Sequence, residues 1–201
     1  MFVALEGGEG AGKSTQAELL QQWLTDQGRE VVVTREPGGT PLGRRLRELL
    51  LDPSTGTLAA RTEALLYAAD RAEHVHDVIR PALQRGAVVL TDRYVDSSIA
   101  YQGAGRSLDP AEVATLSAWA TEDLLPDLTV ILDVDPQEGL GRFDGPLDRL
   151  EAEPMSFHRA VRDGFLALAA RHPSRYLVVD ASQQPDVVQS HVRDRLGGLL
   201  P

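Results

Sequence analysis

Residues 7–14 read Gly-Gly-Glu-Gly-Ala-Gly-Lys-Ser, directly after an apolar run over Phe2–Glu6 and directly before a helical pattern over 13–27. The spacing fits G-x-x-x-x-G-K-[ST] in the strand–loop–helix context that the motif requires. Glycines let the backbone curl so that successive N–H groups turn inward on phosphate oxygens. The N-terminus of the following helix adds its dipole. Lys13 can reach the outer phosphates of a nucleoside triphosphate, and the Ser14 hydroxyl can ligate Mg²⁺. Of the 20 basic residues, 19 are Arg and one is Lys, Lys13. A chain that uses Arg for nearly every positive charge keeps a compact, flexible ammonium at this one place.

The rest of the chain alternates short Val/Ile/Leu-rich runs with helical stretches. The runs cover Phe2–Glu6, 30–34, 87–91, 128–134 and 175–180, and they are apolar on both faces, as buried parallel strands are. Helical patterns cover 13–27, Pro41–Leu51, 62–84, 109–121, 154–170 and 185–196. Thr40 is placed to cap the second of these with Pro41 at its first position, and Pro81 must end or kink the third near Arg80. This alternation predicts an α/β doubly wound sheet with right-handed crossovers. Ligands of such sheets bind at the carboxyl ends of the strands, so the residues just after each strand are the first to inspect. The length of 201 residues predicts a single domain over 1–201, with a charged Gly- and Pro-containing segment at 141–153 as a candidate lid.

A metal-side acid is expected at the end of a neighbouring strand, and both Asp92 and Asp133 qualify. Asp92 is favoured because the adjacent Arg93 brings a fixed charge for a transferring phosphoryl group. After the second strand, Thr34-Arg35-Glu36-Pro37-Gly38-Gly39-Thr40 sets charges at the functional rim. Arg44, Arg45 and Arg47 follow as a basic group of which one or two face solvent. Tyr67 and Arg71 are four apart and share a helix face. His74 and His76 have no metal-like partners and read as surface residues. The segment 92–103 is dense in hydrogen-bonding groups, and the Gln102 amide can pair with the edge of a base.

Composition removes several classes. The formal charge of −10 leaves no basic field for nucleic acid. There is no Cys, hence no disulfide framework, thiolate nucleophile or Cys-ligated metal. No apolar run approaches the about 20 residues of a membrane span, and no signal segment opens the chain, so a cytoplasmic protein without membrane or nucleic-acid partners is expected. The chain also has no Asn. That rules out the guanine-reading N-K-x-D of switch GTPases and the H-R-D-x-x-x-x-N loop of protein kinases. The enzyme rivals that remain are nucleotide kinases with different acceptors.

Taken together, G-G-E-G-A-G-K-S-T, T-R-E-P-G-G-T, D-R-Y-x-D-S-S-x-A-Y-Q-G, P-D-L-T-x-x-L-D-V and D-R-L-E resemble the bacterial thymidylate kinase family from first strand to last helix. The resemblance implies the P-loop kinase fold, a five-stranded parallel sheet flanked by helices on both faces with a short lid. It implies transfer of the γ-phosphoryl group of MgATP to dTMP by a homodimer. ATP would lie on Gly7, Gly8, Glu9, Gly10, Ala11, Gly12, Lys13, Ser14, Thr15 and Arg142, with 180–184 beside the adenine. Glu9 would hold the deoxyribose 3′-hydroxyl, and Tyr67 would stack on thymine. Arg71 and Gln102 would read the base edge with Ser98 beside them, and Tyr101 would lie near the sugar. Glu36, Arg47 and Arg93 would bracket the dTMP phosphate, and Asp92 with Ser14 would place Mg²⁺. Lys13, Arg93, Asp92 and Arg149 would carry catalysis. The lid retains Arg142 and Arg149, which with Lys13 are expected to neutralise the γ-phosphate.

Overall fold

A computed structural model describes residues 1–142 and 145–200. Phe143 and Asp144 of the expected lid lie outside the described residues. β1 (Phe2–Glu6) runs through the glycine loop into α1 (Lys13–Asp26), followed by β2 (Val31–Arg35), α2 (Pro41–Leu51), a 3-10 turn (Pro53–Thr55) and α3 (Ala60–His74). A wide π turn (Val75–Ile79), α4 (Arg80–Gln84), β3 (Val88–Asp92), α5 (Val95–Ser98), a second π turn (Ile99–Gly105) and α6 (Pro110–Thr121) come next. β4 (Leu128–Asp133), α7 (Pro136–Leu140), α8 (Met155–Arg171), β5 (Tyr176–Asp180) and α9 (Pro185–Gly197) complete the chain.

The five strands are parallel throughout and lie in the order β2-β3-β1-β4-β5. Each begins and ends within one residue of its expected position. β1 is central, and all five of its residues are buried. Its side chains alternate: Val3 and Leu5 join Leu20 and Leu24 of α1 and Val192 and Leu196 of α9 on one face. Phe2 and Ala4 join Val75, Ile79 and Tyr94 on the other. Thr40 caps α2 as expected, accepting from Gly43 N at 2.9 Å.

The helix predicted over 62–84 is three pieces. The backbone stays helical throughout, and the π turn over Val75–Ile79 widens the hydrogen bonding directly before Pro81, whose ring and missing N–H do not fit an unbroken α pattern. The polar stretch read over 92–103 is more regular than its composition indicates. α5 continues into the second π turn, a geometry that recurs at functional sites.

α7 clamps the glycine loop. A Cβ on Gly10 would strike the Gly139 carbonyl, and a Cβ on Gly139 would strike the Glu9 carbonyl. Gly10 also has φ +66°, a conformation that other residues adopt only with strain. The two backbones therefore touch where neither can carry a side chain. Gly139→Ala is expected to lower stability by about 2 kcal/mol or more, since main chain must shift on both sides. Gly145→Ala, where an added methyl meets nothing within 4 Å, should stay within about 0.5 kcal/mol of the parent. Denaturant midpoints of the two variants check the contrast.

Candidate active site

The glycine loop leaves β1 with φ +141° at Gly7 and reaches α1 through Gly12 at φ +87°. Lys13 Nζ donates to the Gly7 and Gly8 carbonyls at 3.2 and 2.8 Å. Burial, and then the charge of Arg93, push the Lys13 ammonium below its ordinary value. Ser14 Oγ donates to Asp92 Oδ2 at 3.1 Å, joining the start of α1 to the end of β3. The other acid of the sequence reading, Asp133, is taken by Arg162 in a bidentate pair at 2.7 and 2.9 Å. Hydroxyl and carboxylate oxygens are hard donors suited to Mg²⁺, which is commonly held by one or two protein oxygens plus phosphates. Among the described residues no group of three or more His, Asp or Glu forms an all-protein cage.

Two larger clefts flank this loop, beside a smaller space of about 410 Å³ where Gly7 and Gly8 face Asp133 and Arg162. On one side a space of about 860 Å³ is bounded by Gly10, Thr15, Arg142, Ala181, Gln183 and Val188, among others. Arg142 ties its rims together, donating to the Gly10 carbonyl at 2.9 Å, to the Ala181 carbonyl at 3.0 Å and to Glu138 at 2.6 Å. The segment expected beside a base, 180–184, supplies four of its wall residues here, 181–184.

On the other side a cleft of about 520 Å³ gathers Glu9, Glu36, Arg47, Tyr67, Arg93, Ser98, Tyr101 and Gln102 from the glycine loop, the residues just after β2 and β3, α2, α3, α5 and the second π turn. Arg93 Nη2 donates to Glu9 Oε1 at 2.8 Å, and the Tyr101 hydroxyl donates to the same oxygen at 2.6 Å. The Arg93 guanidinium also lies 4.9 Å from the Tyr101 ring centre. Burial opposes the Glu9 charge, but Arg93, Lys13 and Tyr101 outweigh it and hold the carboxyl at about 2. Arg47 Nη1 donates to the Pro37 carbonyl at 3.0 Å, whereas Arg44 and Arg45 are exposed.

Two expected site residues lie elsewhere than at the wall. Arg71 is 1% exposed and sits behind Ser98. It donates to Glu36 Oε2 at 2.7 Å, to Ser98 Oγ at 3.1 Å and to the Tyr94 carbonyl at 3.0 Å. Arg149 donates to the Leu50 carbonyl at 2.7 Å and pairs with Glu63, away from the glycine loop. Its neighbours Asp148, Leu150 and Glu151 reach the cleft instead. His74 is not a surface residue. It is fully buried, with Nδ1 donating to Glu36 Oε1 at 2.8 Å and Nε2 lying 2.6 Å from the Thr34 hydroxyl. Its spacing of three from Arg71 was the available signal, since both then face Glu36. His76 is exposed.

Sequence reasoning also missed Glu6, Ser97 and Glu63. Arg93 has φ +71°, rare for a side chain of its size. Three contacts hold that turn: Arg93 N donates to the Leu5 carbonyl at 2.9 Å, Thr91 Oγ1 to the Arg93 carbonyl at 2.8 Å, and Tyr94 N to Glu6 Oε1 at 2.8 Å. Ser97 adds its N–H at 3.1 Å and its hydroxyl at 2.6 Å to Glu6. An acid closing a wholly apolar strand was the signal for Glu6.

Comparison with known proteins gives the family and the fold. The thymidylate kinase family model matches residues 5–192. The chain is 59% identical to a thymidylate kinase of Clavibacter sepedonicus, covering 100% of this chain and 96% of that protein. It is 56% identical to one of Cutibacterium acnes, covering 100% and 98%. The crystal structure of thymidylate kinase from Ehrlichia chaffeensis superposes with a TM-score of 0.82 at 35% identity over 98% of each chain.

The Glu9 pair makes stability depend on acid. The Glu9 carboxyl sits at about 2 in the folded chain against an ordinary value of 4.5. Its contribution, about 3 kcal/mol, is therefore complete above pH 4.5 and is lost as pH falls from there through 2. Glu9→Gln should flatten that part of the curve, as read from urea unfolding at pH 5 and pH 3.

Proposed function

The chain belongs to the thymidylate kinase family, which phosphorylates dTMP with ATP to give dTDP, and from that premise we propose how its residues divide the work. The observation that carries the assignment is the pair of clefts meeting at one glycine loop, with Lys13 and Arg93 at the junction. ATP takes the cleft of Thr15, Arg142 and 181–184, its phosphates lying on Gly7, Gly8, Glu9, Gly10, Ala11, Gly12, Lys13 and Ser14. The monophosphate takes the cleft of Tyr67 and Gln102. Tyr67 stacks on the pyrimidine, Gln102 and Ser98 read its edge, and Arg71 acts on that edge from behind Ser98. Tyr101 and Glu9 meet the sugar, and Arg47, Glu36 and Arg93 bracket the acceptor phosphate.

Little covalent chemistry falls to the protein in such a transfer. Positioning and charge neutralisation dominate. The acceptor phosphate oxygen is already ionised near neutral pH, so no general base is needed. Lys13, bonded to the Gly7 and Gly8 carbonyls, turns to the phosphates when they displace those partners. Arg93 Nη1, anchored on the Gly7 carbonyl at 3.0 Å, supplies the fixed charge between the two clefts. Ser14 and Asp92 would hold Mg²⁺, which would add charge neutralisation at the phosphates. Arg142 is the donor-side arginine, while Arg149 reaches the phosphates only by leaving Glu63. Closure of the described lid residues 145–153 over the site excludes water as a competing acceptor.

We read the working form as a homodimer joined through helices. Leu42 and Leu49 of α2, Leu65 of α3 and Trp119 of α6 are exposed on adjacent helices and support that reading.

An ADP-release assay with dTMP, dUMP, dCMP and dGMP side by side tests the substrate placement, and dTMP should be the preferred acceptor. Lys13→Ala should lose turnover by at least about a hundredfold while keeping its circular dichroism spectrum. Parental turnover from that variant would remove Lys13 from the mechanism.

A further inference from the structure

We propose that Glu63 sets the choice among pyrimidines by dictating which end of the Gln102 amide faces the base. The inference rests on the placement of the pyrimidine in the acceptor cleft given above. Glu63 is fully buried on α3, one turn before Tyr67. It accepts from Gln102 Nε2 at 2.9 Å, from Arg106 at 3.1 and 3.2 Å, and from Arg149. Burial works against its charge, but Arg106, Gln102 and Arg149 together hold the carboxyl below its ordinary value. Arg106 is itself held by Glu153 at 2.6 Å and stacks 4.9 Å from the Phe157 ring centre, so the carboxylate is pinned from several sides.

An ionised carboxylate only accepts hydrogen bonds. The amide nitrogen of Gln102 must therefore point at Glu63, because the opposite orientation would press two acceptor oxygens together in a buried site. Among the described residues the Gln102 side chain is bonded through Nε2 to Glu63, and it lines the cleft. The amide thus offers the cleft an acceptor. Thymine presents N3–H between two carbonyls, a donor that such an oxygen accepts. Cytosine presents a bare N3 lone pair at the same place, and two acceptors would then face each other unpaired. Uracil carries the same N3–H as thymine. The device therefore rejects dCMP and leaves dUMP to be distinguished by contacts at the methyl group. A site built around a buried hydrogen bond discriminates strongly against a ligand that lacks the partner.

Glu63→Gln keeps the volume; its amide oxygen stays where Arg106 Nη2 and Arg149 donate, and its nitrogen takes the place of Oε1, giving up the Arg106 Nε contact but able to donate to Gln102, which frees the Gln102 amide to turn over. The ratio of kcat/KM for dTMP to that for dCMP should fall at least about tenfold, with the loss for dTMP falling on KM rather than kcat. A parental ratio in a folded Glu63→Gln enzyme overturns the proposal. Gln102→Ala separates this from the base placement: an unchanged KM for dTMP in that variant would remove the base from Gln102 altogether, and the inference with it. A measurement on the parent chain avoids any folding defect. The Gln102 side-chain amide protons should exchange slowly with water in the dTMP complex, and exchange at the rate of an exposed glutamine overturns the role of Glu63.

Discussion

One buried carboxylate joins the exits of the two central strands. Glu6 closes β1, and its oxygens take the Tyr94 and Ser97 N–H groups and the Ser97 hydroxyl just beyond β3. Burial, and then the neighbouring Asp96, push this carboxyl up from its ordinary range. An acid is kept there because it satisfies three donors at once at a turn where Arg93 adopts a left-handed backbone. One residue beyond Glu6 the phosphate loop begins, and one residue beyond Asp92 comes Arg93. The relative placement of loop and guanidinium thus follows from a fully buried carboxylate, in the manner of supporting contacts that orient a functional group.

The protein is acidic overall, and its site is basic only locally. Three guanidinium groups around the cleft of Tyr67 and Gln102 have buried or half-buried carboxylates beside them: Arg93 has Glu9, Arg71 has Glu36, and Arg149 has Glu63. A buried guanidinium without a partner would be costly, and a paired one is held in a single geometry. The acids therefore serve as scaffolding for the cations. His74 extends this by bridging Glu36 to Thr34 on β2, which ties the acceptor cleft to the edge of the sheet.

Much of the fold was legible because its determinants are local. Apolar runs on both faces, Pro41 after Thr40 and a loop rich in glycine each specify their own conformation from neighbouring residues. The split at Val75–Ile79 was half visible, since Pro81 marks the break but nothing local says that a π turn absorbs it. The residues that line the cleft of Tyr67 and Gln102 were legible as a set through the motifs. Their layering was not, because Arg71 reads the same whether its guanidinium lines a cleft or lies behind one.

The sequence by itself determined the strand–loop–helix phosphate motif, the parallel α/β class, the single ammonium at Lys13 and the kinase family, because these depend on residue type and short spacing. Tertiary structure alone decided that Asp133 is taken by Arg162, that His74 is buried, that Arg149 turns to Glu63, and that Gly10 and Gly139 meet. These contacts join residues far apart in the chain, and their partners are selected by strand order and helix packing, which no local pattern of side chains records.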